Sequence, residues 1–156
     1  MKIMLLVVGK TTDKCLETLI SDYQKRLTHY VPFELRVLPE LKNAKSLTFE
    51  QQKQAEGEMI LKSVGQSAFV VLLDEHGKEY RSIEFADWLQ KAMSAGRDVV
   101  FVVGGPYGFS QEVYERANGK ISLSQMTFSH QMVRLVFIEQ LYRAMTILKG
   151  EPYHHE

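Results

Sequence analysis

Two uncharged segments, one helix and a tail hold the residues whose types and spacing can do chemistry. Val103-Gly104-Gly105-Pro106-Tyr107-Gly108 follows an apolar run. Glycines in such a turn let backbone approach a ligand closely and adopt dihedrals that side chains forbid. Any strand-to-helix turn uses Gly and Pro in the same way, so the run alone is punctuation as readily as a binding loop. The segment Ile121-Ser122-Leu123-Ser124-Gln125-Met126-Thr127-Phe128-Ser129-His130 leaves a second apolar run without a charged side chain. It leads into a helical stretch in which Glu139 and Arg143 stand four apart, the spacing of an intrahelical ion pair. Arg134 and Arg143 are also the cations available there for phosphate. A cation in so apolar a helix is costly without a purpose, which favours a functional role for Arg143, while a structural role is favoured for Arg134. The chain closes on Gly150-Glu151-Pro152-Tyr153-His154-His155-Glu156. Gly then Pro is an ordinary helix stop, yet a tail with a ring, imidazoles and a carboxylate can also close over a pocket.

Other motifs fail on inspection. Gly9-Lys10-Thr11 imitates the end of a phosphate-binding loop, but that loop needs a glycine where Met4 stands. No G-x-G-x-x-G follows the first apolar run, which removes the dinucleotide fingerprint. The five histidines lack the spacing of a zinc site with Cys or carboxylate partners, so no metal is expected. Cys15, the single cysteine, has no intrachain partner and reads as a small helix residue in a reducing compartment.

The elements that must position these groups alternate. Apolar runs at 2–8, 33–38, 68–73, 99–103 and 121–123 are short and mostly unbroken, as for strands covered on both faces. Between them lie helical patterns. Leu16, Leu19, Ile20, Tyr23, Leu27 and Tyr30 recur every three or four residues and predict a helix over 13–30. A second helix over 48–63 opens on Thr48 and Gln51 at capping-box spacing and stops at Gly65. A third spans Ser82 to about Ala95, a short fourth follows Ser110, and the last spans 130–149. This order predicts a mostly parallel sheet with helices on both faces, whose ligands bind at the carboxyl ends of the strands. The last helix is apolar almost all round, which implies cover on more than one side and, economically, packing against a second copy in a homodimer. The polar loop from Glu40 to Ser46, with Lys42 and Lys45, reads as a solvated connection rather than an RNA-contacting flap.

Bulk properties set the frame. With 156 residues, 45% hydrophobic and 24% charged, the chain fits one globular α/β domain able to bury roughly 68–70% of its unfolded surface. The apolar start is only a strand long and runs into Lys10-Thr11-Thr12-Asp13, so a signal peptide is not expected. The stretch from Met132 to Leu148 is interrupted by Arg134, Glu139 and Arg143, which argues against a membrane span and for a cytoplasmic protein. Formal net charge is zero and both halves are nearly neutral. A nucleic-acid partner is therefore not announced by charge and would need a patch assembled otherwise, for instance by dimerisation.

Collectively the residues resemble the ribosomal RNA large subunit methyltransferase H family of the SPOUT superfamily. The likeness runs through Val7-Val8-Gly9-Lys10, Pro32-Phe33-Glu34-Leu35, Leu73-Asp74, Gly96-Arg97-Asp98-Val99, Gly104-Gly105-Pro106-x-Gly108 and Ser122-Leu123-Ser124. It continues through His130-x-x-Val133-Arg134, Glu139-Gln140-Leu141-Tyr142-Arg143-Ala144 and Pro152-Tyr153-His154. The resemblance implies a single domain over 1–156 with a deep C-terminal trefoil knot, which the general rule against threaded chains would have excluded. It implies a homodimer with active sites at the subunit interface, and S-adenosylmethionine as methyl donor. The implied reaction is methylation of N3 of a pseudouridine in helix 69 of the large-subunit (23S) ribosomal RNA, with the assembled ribosome as the expected partner. It implies cofactor contacts from Leu73, Gly105, Ser124, Gln125, Met126, Thr127, Phe128 and Ser129. Arg143, Tyr153, His154 and His130 are the catalytic candidates: Arg143 for phosphate or the deprotonated base, Tyr153 for stacking, either histidine for positioning or proton transfer. The sequence departs from the family at His155, where Arg or Lys is usual, and at Ser129 and Gln131, where prolines flank the histidine. The alternatives are a SPOUT enzyme acting on transfer RNA, or a non-catalytic nucleotide- or ribosome-binding module.

Overall fold

The computed structural model describes residues 1–155, among which five parallel strands and five α-helices alternate. Glu156, the carboxylate expected of the tail, lies outside the described residues. Strands β1 (Ile3–Val8), β2 (Phe33–Leu38), β3 (Phe69–Glu79), β4 (Val99–Val103) and β5 (Gly119–Ser122) form one sheet in the order β2-β1-β4-β3-β5. Every pairing is parallel. Helices α1 (Lys14–Leu27), α2 (Phe49–Val64), α3 (Ser82–Ser94), α4 (Gln111–Arg116) and α5 (Met132–Leu148) connect or follow the strands. The expected sheet with helices on both faces is what forms.

Strand parity explains the two layers. Ile3, Leu5, Val7, Val71, Val99, Phe101 and Val103 point to one face and pack with Ile20 and Leu27 of α1, Phe85 and Leu89 of α3, and Phe137 and Leu141 of α5. Met4, Leu6, Val70, Leu72, Val100 and Val102 point to the other, against Ile60 and Val64 of α2 and Val113 of α4. Burial on both faces is why these runs lack polar alternation. Each fully buried Leu, Ile or Phe contributes about 1.5–3 kcal/mol. The exposed edge β2 instead carries Glu34 and Arg36, with Lys2 donating to Glu34 at 2.7 Å, the charged finish that blunts edge-to-edge pairing.

Helix starts are set by local polar groups. Asp13 accepts from the backbone N–H of Cys15 and Leu16, at 2.8 and 3.2 Å. Thr48 and Gln51 form the capping box that their spacing predicts. At α5 the cap lies outside the usual position: Ser129 Oγ accepts from the N–H of Met132 at 3.0 Å, so the helix starts two residues later than expected. Helix α1 ends at Leu27 rather than 30, because Thr28 to Val31 turn back on its last carbonyls before Pro32.

Two differences from expectation matter for the site. Strand β3 does not end at Leu73. It leaves the ladder over residues 74–77 and returns, so that Ile121 of β5 faces both Leu73 and Lys78. Gly77 makes the crossing feasible, since a Cβ there would lie 2.6 Å from the backbone N and C of Ile121. Helix α5, for its part, packs on the sheet between α1 and α3. Most of its apolar circumference is thus covered within one chain. The side left over includes Met132, 43% exposed, and half-buried Val133, Leu135 and Val136.

Candidate functional site

The carboxyl ends of β3, β4 and β5 open into a cleft of about 660 Å³, within the range of small-molecule sites. Its floor is apolar: Leu73, Val103 and Ile121 from the strands and Val133 from α5. One wall is the glycine turn after β4, where Gly104, Gly105 and Tyr107 face the space. A Cβ at Gly105 would come within 2.5 Å of Glu56 Oε1 on α2, so a side chain there would have to displace that carboxylate. Burial raises the pKa of that Glu56 carboxyl. The other wall is the uncharged loop after β5, contributing Ser124, Met126, Thr127, Phe128 and Ser129, with His130 at its end. Gln125, grouped with them in the sequence, is exposed and does not line the cleft.

Among the described residues, the backbone of 123–128 makes no hydrogen bond to other backbone. The loop is held by side chains: Ser122 Oγ donates to the Ser124 carbonyl, and Ser124 Oγ accepts from the N–H of Met126. Apart from the Ser124 carbonyl and the Met126 N–H, its peptide donors and acceptors are left for a ligand edge. Ser129 and Gln131 restrain the end of the loop by hydrogen bonds, Ser129 Oγ accepting from the N–H of Met132. Gln131 accepts from the N–H of Thr12 at 2.9 Å and donates to the Lys10 carbonyl at 3.2 Å.

Arg134 locks the same region to the sheet. It is 1% exposed and donates to the carbonyls of Val8, Gly9 and His130 and to Thr11 Oγ1, at 2.8–3.1 Å. Burial lowers its pKa and the nearby Glu40 carboxylate opposes that. All the partners are internal, so Arg134 is the structural cation that the sequence favoured.

Sequence reasoning missed a polar cluster on the excursion of β3. Asp74, whose side chain is 5% exposed, accepts from Tyr114 Oη, from the N–H of His76 at 2.9 Å, and contacts His76 Nδ1 at 3.2 Å. Burial works against the Asp74 charge, but the His76 and Tyr114 hydrogen bonds prevail and its pKa falls below the usual range. Burial and the Asp74 bond push the Tyr114 phenol up to about 12. Asp74, His76 and Tyr114 all line the cleft. The available signal was Asp74 at the end of an apolar run; Tyr114, 40 residues away, gave none.

The remaining catalytic candidates are elsewhere in the chain. Arg143 is ten residues beyond Val133, about 15 Å along α5. It donates to Glu139 Oε1 at 2.7 and 2.9 Å and to His154 Nδ1 at 3.1 Å, with its guanidinium 4.8 Å from the Tyr153 ring centre. A guanidinium has only donors, so Nδ1 of His154 accepts and a neutral ring carries its proton on Nε2. Tyr153 is packed edge-on against Tyr142 at 4.8 Å, with its hydroxyl 3.2 Å from that of Tyr23. Burial and the Tyr23 contact raise its pKa. Within one chain Tyr153 thus anchors the tail, and its ring is already engaged. Arg143, Tyr153 and His154 come together as a group; His130 belongs to the cleft.

Among the described residues, no set of three or more His, Cys, Asp or Glu can share a metal ion, and no helix is long and apolar enough to cross a membrane.

A family model described as "Predicted SPOUT methyltransferase" matches residues 1–154. The ribosomal RNA large subunit methyltransferase H of Phocaeicola vulgatus is 58% identical, and that of Bacteroides fragilis 59%, each over 100% of both chains. The protein of the same name from Christiangramia forsetii is 60% identical over 99% of both. Among solved structures, the tRNA (m1G37) methyltransferase from Aquifex aeolicus superposes with a TM-score of 0.57 over 99% of this chain and 75% of that one. At 15% identity this shows a shared fold. On the full-length match and the identity of these relatives, the chain belongs to the SPOUT methyltransferases, in the family of ribosomal RNA large subunit methyltransferase H.

Proposed function

We propose that this chain is an S-adenosylmethionine-dependent methyltransferase of large-subunit ribosomal RNA, acting on N3 of a pseudouridine in helix 69 and working as a cytoplasmic homodimer on the assembled ribosome. The observation that carries the reading is the cleft at the strand ends, with an apolar floor, a glycine wall and a loop whose backbone makes no hydrogen bond to other backbone among the described residues. Such a lining fits adenosylmethionine: the floor accepts the adenine faces, and loop peptides from 124–129 address its edge without a signature side chain. Leu73 and Gly105, both lining the cleft, complete the grip.

Bound adenosylmethionine supplies an electrophilic methyl group on a sulfonium whose sulfur leaves as a neutral thioether. The protein must align the acceptor nitrogen with that methyl and help the imide lose its proton. Arg143, already oriented by Glu139, is the group to hold phosphate or the anionic imide. His154, with its Nδ1 facing Arg143, offers an N–H rather than a base. Exposed His130 at the cleft is the better proton acceptor. Because Arg143 and His154 do not line the cleft of their own chain, a second copy that brings its tail to this cleft gives both parts one site. The side of α5 left uncovered by α1 and α3 supports that association.

A single domain over 1–156 and the C-terminal trefoil knot belong to the same proposal. The excursion at 74–77 and the contact of Gly77 with the Ile121 backbone are consistent with β5 and its following loop passing through β3's connection. The decisive test is methyl transfer from labelled adenosylmethionine to ribosomes lacking the modification, followed by mass mapping. One added methyl on a helix 69 pseudouridine is expected; no transfer to ribosomes or free ribosomal RNA refutes the reading.

A further inference from the structure

Phe49 and Tyr107 form an aromatic step at the mouth of the cleft. Their rings stack with centres 4.0 Å apart and 20° between planes, yet Phe49 is 61% and Tyr107 42% exposed. The inner faces cover each other, so the exposure falls on outer faces and edges. Phe49 is the first residue of α2, next to the capping Thr48, a position where nothing in the fold requires a large ring. Tyr107 sits in the glycine turn and lines the cleft, so the step is continuous with the proposed transfer site. Lys53, one helical turn from Phe49, also lines the cleft. Its ammonium is 2.8 Å from Glu50, whose side chain is 84% exposed, a pair weak enough to exchange for phosphate. Gln52 holds the preceding segment, which carries Lys45, to α2 by donating to the Ala44 and Leu47 carbonyls.

We infer that this step binds an unpaired base of the RNA substrate, a neighbour of the nucleotide to be methylated, by stacking, with Lys53 meeting the adjoining phosphate. The inference rests on the RNA methyltransferase reading. A flat open ring beside a cation at the mouth of a cleft is the arrangement that grips single-stranded RNA without regard to charge elsewhere on the protein. It answers the difficulty posed by a net charge of zero, since stacking needs no basic face. A protein partner would call for a wider apolar surround than two rings flanked by Glu50 and Lys53.

The test uses the full chain with F49A and F49W; Phe49 is not itself a lining residue, and Tyr107, on which it stacks, is left in place. F49A is expected to leave adenosylmethionine affinity unchanged, to raise KM for ribosomal RNA roughly tenfold, and to change kcat little; F49W should restore KM. A short single-stranded RNA carrying 2-aminopurine should be quenched by the wild type and not by F49A. Wild-type KM and quenching in F49A overturn the stacking site, and if methyl transfer persists the enzymatic reading stands. Quenching that depends on Phe49 without methyl transfer by the wild type does the reverse. If F49A shifts the dimer dissociation constant in sedimentation while RNA binding is unchanged, the rings are a subunit contact and the inference falls.

Discussion

Replacing Arg134 with Ala should unfold the protein early and empty the cofactor cleft together. The side chain is 1% exposed and supplies donors to three carbonyls and one hydroxyl. Truncation leaves those acceptors without donors in a buried space, at about 1–3 kcal/mol for each one that water does not reach. Allowing for partial rehydration of the vacated volume, the loss is about 3–5 kcal/mol, and for a chain of this size that lowers Tm by roughly 6–20 °C. The same bonds tie Val8 and Gly9 at the end of β1 to the first turn of α5, and so fix the loop that precedes it. Adenosylmethionine affinity should fall at least tenfold at temperatures where R134A is still folded. Thermal unfolding by circular dichroism and calorimetric titration at low temperature measure the two effects. R134K keeps the charge but not the planar fork of donors, and should recover only part of the loss. An R134A protein melting within 2 °C of the wild type would refute the reasoning, because it would mean that these hydrogen bonds are replaced at no cost.

Four further outcomes are expected. G77A sets a Cβ 2.6 Å from the Ile121 backbone, where no flexible side chain can yield, so urea unfolding should show a loss of about 1–3 kcal/mol. For Tyr114, whose phenol is raised to about 12, the folded state favours the protonated form. Stability that depends on it is present below pH 10 and lost as pH rises towards 12, so Y114F should flatten that alkaline limb in denaturation and remove one late-titrating tyrosine from the ultraviolet spectrum. The depressed Asp74 pKa works in the opposite sense, its contribution being lost on acidification below about pH 4. R143A, finally, should lower kcat by roughly 10²-fold while adenosylmethionine affinity in calorimetry is unchanged, since the role proposed for Arg143 is to hold phosphate or the anionic imide and not the cofactor.

The sequence by itself determined the alternation of strands and helices, because period and caps are local: Thr48 with Gln51, Asp13, and runs apolar on both faces are legible without a fold. It also marked Gly104 to Gly108 and the loop from Ser124 to Ser129, through glycine and the absence of charge, and the family likeness joined them to one ligand. Tertiary structure alone decided what depends on distant contacts. The excursion of β3 and its crossing at Gly77 come from pairing with β5, more than 40 residues on. Asp74 gained its partner Tyr114 the same way. Arg134 and Arg143 look alike in the helix, nine residues apart in one apolar stretch. Only the fold buries one against the carbonyls of β1 and leaves the other with Glu139 and His154, because which side of a helix meets the sheet is settled by packing and not by spacing.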